Sequence, residues 1–241
     1  MVDDALGAVL LSQLPYVQLR VSAQASLSGD ACDDPATLEW RACAVLHLDG
    51  EQEEDGLLLD CADAALSRTD MPDGVELTIA RMNGLTLDLW RIRSAYDSLD
   101  ARSSDYEHFA PLFDRSGDLG LHPDLEECLT GGARAVIIER ARLAPAWRGC
   151  GGVGRLLLAR LLRWTAADAA VVATHPYPID IPMAQRDDVA RVAREKQRVQ
   201  RTWQSLGFEA FREDLWVMRP HLREHGDTVV ALEQRFEAYL H

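Results

Sequence analysis

The sequence lacks the features that mark a membrane protein or a secreted one. Its apolar runs are short, such as residues 169–174, whereas a helix needs roughly 20 apolar residues to cross a bilayer. Asp3 and Asp4 stand where a signal peptide would have basic residues followed by an apolar stretch. We therefore expect a cytoplasmic protein that does not associate with membranes.

Paired cysteines and metal-binding motifs are also missing. The chain has five cysteines, an odd number, and contains no Cys-x-x-Cys, His-x-x-x-His or His-Glu-x-x-His motif. A disulfide framework and a structural zinc site are therefore not expected. The pattern favours free thiols in a reducing compartment.

Basic residues are scarce, and their distribution is uneven. The chain has 25 basic and 39 acidic residues, a net charge of −14, and Lys196 is its single lysine. Residues 1–130 hold 26 acidic residues and 8 arginines, whereas residues 131–241 hold 13 acidic and 17 basic ones. An acidic surface repels phosphate, so nucleic acid is not an expected partner. The mildly basic second half stays compatible with a site for a small anion.

The first half of the chain favours strands followed by helices. With 241 residues, 47% of them hydrophobic, the chain can bury a sizeable core in one large domain or two small ones. A loop is predicted at 24–37 and an acidic turn at 51–56, and strands of a β-meander are predicted at 40–48, 57–61 and 75–81. Helical spacing over 87–113 predicts one or two amphipathic helices, with a cap at 103–105.

The second half alternates strands and helices, which predicts a mixed α/β sheet. Residues 133–143 form a strand with a wholly apolar centre, as expected deep in a sheet. The elements predicted after it are a Gly-rich turn at 144–152, a helix at 153–167, a strand at 170–174, a helix at 189–206, a hairpin at 208–218 and a helix at 228–240. Neither a repeat nor a long linker divides the chain, so we expect a single domain over 1–241.

The most informative motif is PAWRGCGGVG at 145–154. Closely spaced glycines between a buried strand and a helix let the backbone approach a ligand, and the amides at the helix start favour an anion. A tight turn without a ligand is the alternative. Gly149, Gly151 and Gly154 also satisfy the Gly-x-Gly-x-x-Gly pattern of dinucleotide folds. Five residues separate the strand from the first glycine, however, and Thr174 stands where those folds have an acidic residue. A dehydrogenase is thus a weaker alternative.

Two segments resemble the GNAT superfamily of N-acetyltransferases. Leu143-Ala144-Pro145 and Arg148-Gly149-Cys150-Gly151 resemble its acyl-CoA-binding signature, Arg/Gln-x-x-Gly-x-Gly/Ala after a strand that ends in hydrophobic-x-Pro. Residues 203–208 (WQSLGF) resemble the aromatic-x-x-Leu-Gly-Phe that ends the next-to-last core helix, and 215–218 resemble the last core strand. The resemblance covers 131–220. It implies a GNAT-like acyl-CoA N-acyltransferase fold with an elaborated N-terminal half at 1–130 and a C-terminal helix at 221–241.

The resemblance also implies acetyl-CoA as the cosubstrate and a set of residues that hold it. The strand at 140–143 would diverge from its neighbour, with pantetheine in the gap and paired with backbone groups near Arg142 and Leu143. The pyrophosphate would lie on the amides of 149–155, with a charged contact from Arg148 or Arg155. The second Gly/Ala of the signature falls on Val153, or on Gly154 if one residue is inserted. The residues implied in binding are Arg142, Leu143, Arg148, Gly149, Gly151, Gly152, Val153, Gly154 and Arg155.

The reaction implied is direct attack of an amine on the thioester, which needs a base for the ammonium and an acid for the thiolate. Glu139 is the candidate base, with an ordinary ion pair as its plainer role. His175 follows a buried strand, where sites of open sheets gather, and a loop-anchoring role is its alternative. The family's acidic tyrosine would fall at Trp203, which has no hydroxyl, so Tyr177 is the candidate acid. His108 is predicted to be a partly exposed helix residue.

Two functions follow from these observations. The first is an acyl-CoA-dependent N-acetyltransferase that acts on a small-molecule or protein amine, and an acidic first half would attract a cationic acceptor. The second is a catalytically inactive GNAT-like module that binds CoA or a partner protein, which Trp203 motivates. The sequence is also compatible with a homodimer.

Overall fold

Strands from both halves of the chain form one eight-stranded sheet in the computed structural model, which describes residues 4–24, 34–49, 53–61, 66–114, 120–221 and 223–240. The strand order is β1-β2-β4-β5-β6-β8-β7, and β3 pairs with β4 outside this path. The strands are β1 (Val17–Gln24), β2 (Thr37–Leu48), β3 (Arg68–Met71), β4 (Gly74–Asp88), β5 (Arg134–Leu143), β6 (Ala169–Thr174), β7 (Glu209–Ala210) and β8 (Trp216–Met218). The β5–β6 pair is parallel and the other pairs are antiparallel. The fold is therefore a mixed α/β architecture with a mostly antiparallel sheet.

Seven helices accompany the sheet in the described part of the chain. They are α1 (Asp4–Ser12), α2 (Glu53–Asp60), α3 (Ala95–Asp100), α4 (Ser104–Glu107), α5 (Val153–Thr165), α6 (Val189–Gln204) and α7 (Arg223–Leu240). Among the described residues, none of these helices has the length and apolar content that crossing a membrane requires.

The sheet separates two apolar clusters. Alternate residues of β5 point to opposite faces, so Val136 and Ile138 join one cluster and Ala135 and Ile137 join the other. The first cluster includes the apolar sides of α5 and α7, and the second includes those of α3 and α4. Because β5 is covered on both faces, its centre contains only apolar residues.

The elements of the second half agree closely with the sequence prediction. The predicted strands at 133–143 and 170–174 are β5 and β6, and the helices predicted at 153–167 and 189–206 are α5 and α6. The hairpin at 208–218 contains β7 and β8, and α7 begins five residues before its predicted start at 228. Gly207 adopts a left-handed φ of +92° just after α6 ends, as expected of a glycine that terminates a helix.

The structure of the first half differs from the sequence prediction at three places. The strand predicted at 57–61 is wrong, because these residues lie in and just after α2; short apolar runs do not distinguish a buried strand from a helix. Of the acidic turn predicted at 51–56, residues 53–56 belong to that helix, and 51–52 lie outside the described residues. The one or two helices predicted over 87–113 are present as α3 and α4, but they cover only part of that range, because β4 extends to Asp88 and α4 ends at Glu107.

Other predictions for this half agree with the structure. The strands predicted at 40–48 and 75–81 lie within β2 and β4. Ser103 is the N-cap residue of α4, although its side chain makes no capping hydrogen bond. The loop predicted at 24–37 falls mainly on residues 25–33, which lie outside the described residues.

Candidate functional site

A cleft opens where β5 and β6 part. Their parallel pairing ends at Ile138 and Thr174, while β5 continues to Leu143 paired with β4. A cavity of about 820 Å³ begins at this point, which is within the range of roughly 300–1,000 Å³ typical of ligand pockets. Its walls are residues 139–143 of β5, the Gly-rich loop at 144–152, the segment after β6 at 175–181 and one side of α6.

Glu139 lies at the parting point on a β-bulge. Asn83 of β4 is opposite Arg140 and Gly84 is opposite Ile138, so Glu139 is the extra residue on β5. Bulges of this kind redirect side chains and are frequent beside active sites. The bulge explains why a carboxylate in an apolar strand borders the cavity.

Three polar groups hold the Glu139 carboxylate. Arg140 Nε lies 3.4 Å from its Oε1, which is the ion pair expected as the plainer role of this residue. The side-chain amide of Asn83 donates a hydrogen bond of 2.6 Å to Oε2 of Glu139, and the buried Tyr106 hydroxyl donates another. Burial raises the pKa of Tyr106 well above its usual range, and the neighbouring Glu139 charge raises it further. Tyr106 therefore stays protonated as a donor. Neither Asn83 nor Tyr106 was identified from the sequence, because both are distant in the chain from the Gly-rich motif.

Three glycines of the loop adopt left-handed backbone conformations. Their φ values are +85° for Gly149, +60° for Gly151 and +106° for Gly152, a region that residues with a side chain rarely enter. Gly152 is the N-cap residue of α5. In the described chain the amides of Gly152 and Gly154 have no backbone acceptor, so they remain available to an anion at the helix start.

Gly154 and Val153 differ in surroundings. A methyl group at Gly154 would lie 2.9 Å from Cδ2 of Leu143, so this position requires the close approach of helix and strand that glycine permits. Val153 is instead fully buried in the core. A small residue is therefore required at Gly154 and not at Val153.

Two of the arginines implied in cofactor binding already have an acidic partner. Arg142 Nη1 lies 2.9 Å from Asp180 Oδ1, and Arg148 Nη2 lies 2.7 Å from Asp180 Oδ2. Arg148 Nε also donates a hydrogen bond of 2.9 Å to the Leu143 carbonyl, which was predicted to pair with a ligand. Asp180 thus links the segment after β6 to β5 and the loop, and no sequence signal marked it.

A second pair of arginines lies beside Gly151 and Gly152. A methyl group at Gly152 would lie 2.6 Å from Arg155 Nη2, and one at Gly151 would lie 3.8 Å from Arg235 Nη2. Both arginines border the cavity. Arg155 was predicted from the motif, whereas Arg235 belongs to α7 and was missed.

His175 and Tyr177 line the opposite wall of the cavity. Their ring centroids are 6.1 Å apart and their ring planes differ by 26°. The centroid of the His108 ring lies 5.2 Å from that of His175. Near them, Lys196 Nζ forms an ion pair of 2.6 Å with Asp214. His108 is exposed at the end of α4, which confirms the prediction, and it also completes a row of three rings.

The packing of His175 predicts a pH-dependent stability. Burial, then the neighbouring His108, lowers its pKa below the usual 6.5, and Lys196 acts in the same direction against Asp214. The unfolded chain therefore takes up a proton first, so the free energy of unfolding falls as the pH drops through 6.5 and levels off below the folded-state pKa.

NMR titration of the histidine ring resonances measures this directly. His108→Gln should raise the pKa of His175, because it removes a repelling imidazolium. A His175 pKa at or above 6.5 in the wild-type protein would contradict the described packing.

Trp203 is buried in the cavity wall. Its ring contacts that of Phe208 edge to face, with centroids 4.9 Å apart. It supplies apolar surface and no hydroxyl at this position. Among the described residues, no group of three or more His, Cys, Asp or Glu side chains could hold a metal ion.

Comparisons with protein-family models, with curated proteins and with solved structures found no match to this chain.

Proposed function

We propose that the protein is an acyl-CoA-dependent N-acyltransferase with a GNAT-like fold that moves an acetyl group from acetyl-CoA to an amine. The observation that carries the proposal is the parting of β5 and β6 at Glu139, with the Gly-rich loop at the start of α5 opening into the same cleft. The resemblance implies a pantetheine arm in such a gap. A phosphate group at a helix start is favoured by free amides and the helix dipole.

The residues present fit acetyl-CoA. The cavity is large enough for an extended ligand, and the left-handed glycines form a cradle whose amides can face a pyrophosphate. Arg155 supplies positive charge at that cradle. Arg142 and Arg148 mainly fix the segment after β6 through Asp180, so their role is to position the cleft wall.

The chemistry that acetyl-CoA supplies is an activated thioester. In the proposed reaction Glu139 accepts a proton from the ammonium of the acceptor, directly or through water, and Asn83 and Tyr106 hold its carboxylate in place. As the acceptor nitrogen bonds to the acetyl carbon and the carbon–sulfur bond breaks, Tyr177 donates its proton to the departing thiolate, because it is exposed within the cavity and Trp203 has no hydroxyl. The second proton that the nitrogen loses returns through water to the Tyr177 oxygen. His175 keeps the Tyr177 ring in position by stacking.

Trp203 favours one rival function. A buried tryptophan at the family's tyrosine position is compatible with a CoA-binding regulatory module that lacks catalysis. The dehydrogenase alternative fits less well, because dinucleotide folds have mostly parallel sheets and only one pair of the strands described above is parallel. Thr174 donates a hydrogen bond to the Ile138 carbonyl, at the position where a ribose-binding acidic residue would be expected.

Acetyl-CoA is expected to raise the Tm by about 5 °C or more at 100 times its Kd, whereas NAD should have no such effect. Gly149→Asp tests the cradle, because its added methylene meets no atom within 4 Å and aspartate tolerates a left-handed φ. The new carboxylate should repel the pyrophosphate and weaken acetyl-CoA binding at least tenfold.

Gly149→Asn is the matched control, since it has the same shape without the charge and should bind within about threefold of wild type. Absence of a Tm shift at millimolar acetyl-CoA would refute the proposal. Equal weakening by both variants would refute the cradle as an anion site. A thiol-release assay over a panel of amines then separates the enzyme from the inactive module, because binding without turnover supports the latter.

A further inference from the structure

Helix α7, outside the segment that resembles the family, is fixed against α5 and the loop that precedes it. Arg163 of α5 donates two hydrogen bonds, of 3.2 and 3.1 Å, to the two carboxylate oxygens of Glu233. Phe236 is buried, and its ring would lie 3.6 Å from a methyl group at Gly151. At the other end of α7, His225 contacts the Leu206 carbonyl through Nδ1 at 3.2 Å. These contacts determine where the intervening Arg235 lies.

Arg235 and Arg155 converge on the same two glycines from opposite sides of the loop. Arg155 reaches Gly152 from the first turn of α5, and Arg235 reaches Gly151 from α7. Both border the cavity, and neither has an ion-pair partner among the described residues. Two guanidinium groups that form no ion pair at a cavity rim are a setting that favours a phosphate, since arginine binds phosphate oxygens through paired N–H donors.

We infer that Arg155 and Arg235 form a second phosphate subsite, which takes the 3′-phosphate of CoA. The inference rests on the proposed function and adds to it the part of the ligand that α7 recognises. The loop amides account for one anionic group, the pyrophosphate, and they cannot also neutralise a second one. The terminal 3′-phosphate is a dianion near neutral pH and belongs at the open rim, where Arg235 is exposed to solvent. Arg235 is thus a specificity-determining residue for CoA over ligands without that phosphate.

The test compares the Kd of CoA with that of dephospho-CoA by isothermal titration calorimetry of the full chain. The wild-type protein should bind CoA about tenfold more tightly, the effect expected of a charge-assisted phosphate contact. Arg235→Gln should reduce this preference to about twofold and leave the Kd of dephospho-CoA unchanged. Arg235→Lys, which retains the charge without the paired donors, should show an intermediate preference.

Arg201→Gln is the matched control, because Arg201 is an exposed arginine of α6 that does not border the cavity. It should retain the wild-type preference. Equal affinity of the wild-type protein for CoA and dephospho-CoA would overturn the subsite and leave the proposed function standing. An equal loss of preference in Arg201→Gln would also overturn the subsite, since it would reflect general charge. Absence of binding by both ligands would overturn the proposed function itself.

Discussion

Replacing Glu139 by glutamine is expected to lower kcat for acetyl transfer by about 100-fold. A positioned general base contributes roughly 10²–10⁴ to the rate, and the amide of glutamine cannot take up the ammonium proton. Glutamine has the same shape and still offers an oxygen to the Asn83 amide and the Tyr106 hydroxyl. The Kd of acetyl-CoA should therefore change by less than about twofold, so the effect appears in kcat and not in cofactor binding.

Glu76→Gln is the matched control, because it makes the same substitution away from the cleft. Glu76 lies on β4, pairs with Arg20 at 2.6 Å and does not border the cavity. Removing its charge should leave kcat within about twofold of wild type. A kcat reduced less than threefold in Glu139→Gln, or reduced equally in both variants, would remove Glu139 from the proposed reaction.

The second half of the chain could be predicted because its signals are local. The apolar centre of β5, the glycines of the loop and the leucines of α5 are adjacent in sequence, and each reports on its own element. The parting of β5 and β6 was expected only through the family resemblance. Its physical cause, the bulge at Glu139, depends on Gly84 in another strand, and no local pattern reveals which residue of one strand lies opposite another.

The remaining site residues come from distant parts of the chain. Tyr106 and His108 lie on or beside a short helix of the first half, Asp180 follows β6, and Arg235 lies on α7. Each was an ordinary polar residue in the sequence, because its proximity to the cleft arises from tertiary packing. The wrong prediction of a strand at 57–61 has a related cause. A buried helical segment and a buried strand can have the same short apolar sequence, and Leu58 is buried in α2.

Replacing Gly84 by alanine is expected to destabilise the fold by about 3 kcal/mol. The added methyl group would lie 1.9 Å from the Ile137 carbonyl oxygen and 2.6 Å from Cζ2 of Trp40. The nearer atom belongs to the backbone of the adjacent strand, so β4 and β5 must separate at the bulge, and overpacking of this kind has large effects. The Glu139 carboxylate would move with β5, and acetyl transfer by the fraction that remains folded should fall as well.

Urea unfolding measures the loss of stability as a lower midpoint with an unchanged slope. Gly7→Ala is the matched control, because Gly7 lies in α1 and a methyl group there meets no atom within 4 Å. That change should stabilise the protein by about 0.5–1 kcal/mol, since alanine restricts the unfolded chain and favours the helix. A Gly84→Ala midpoint equal to that of the wild-type protein would contradict the close approach of β4 and β5, and with it the bulge that brings Glu139 to the cleft.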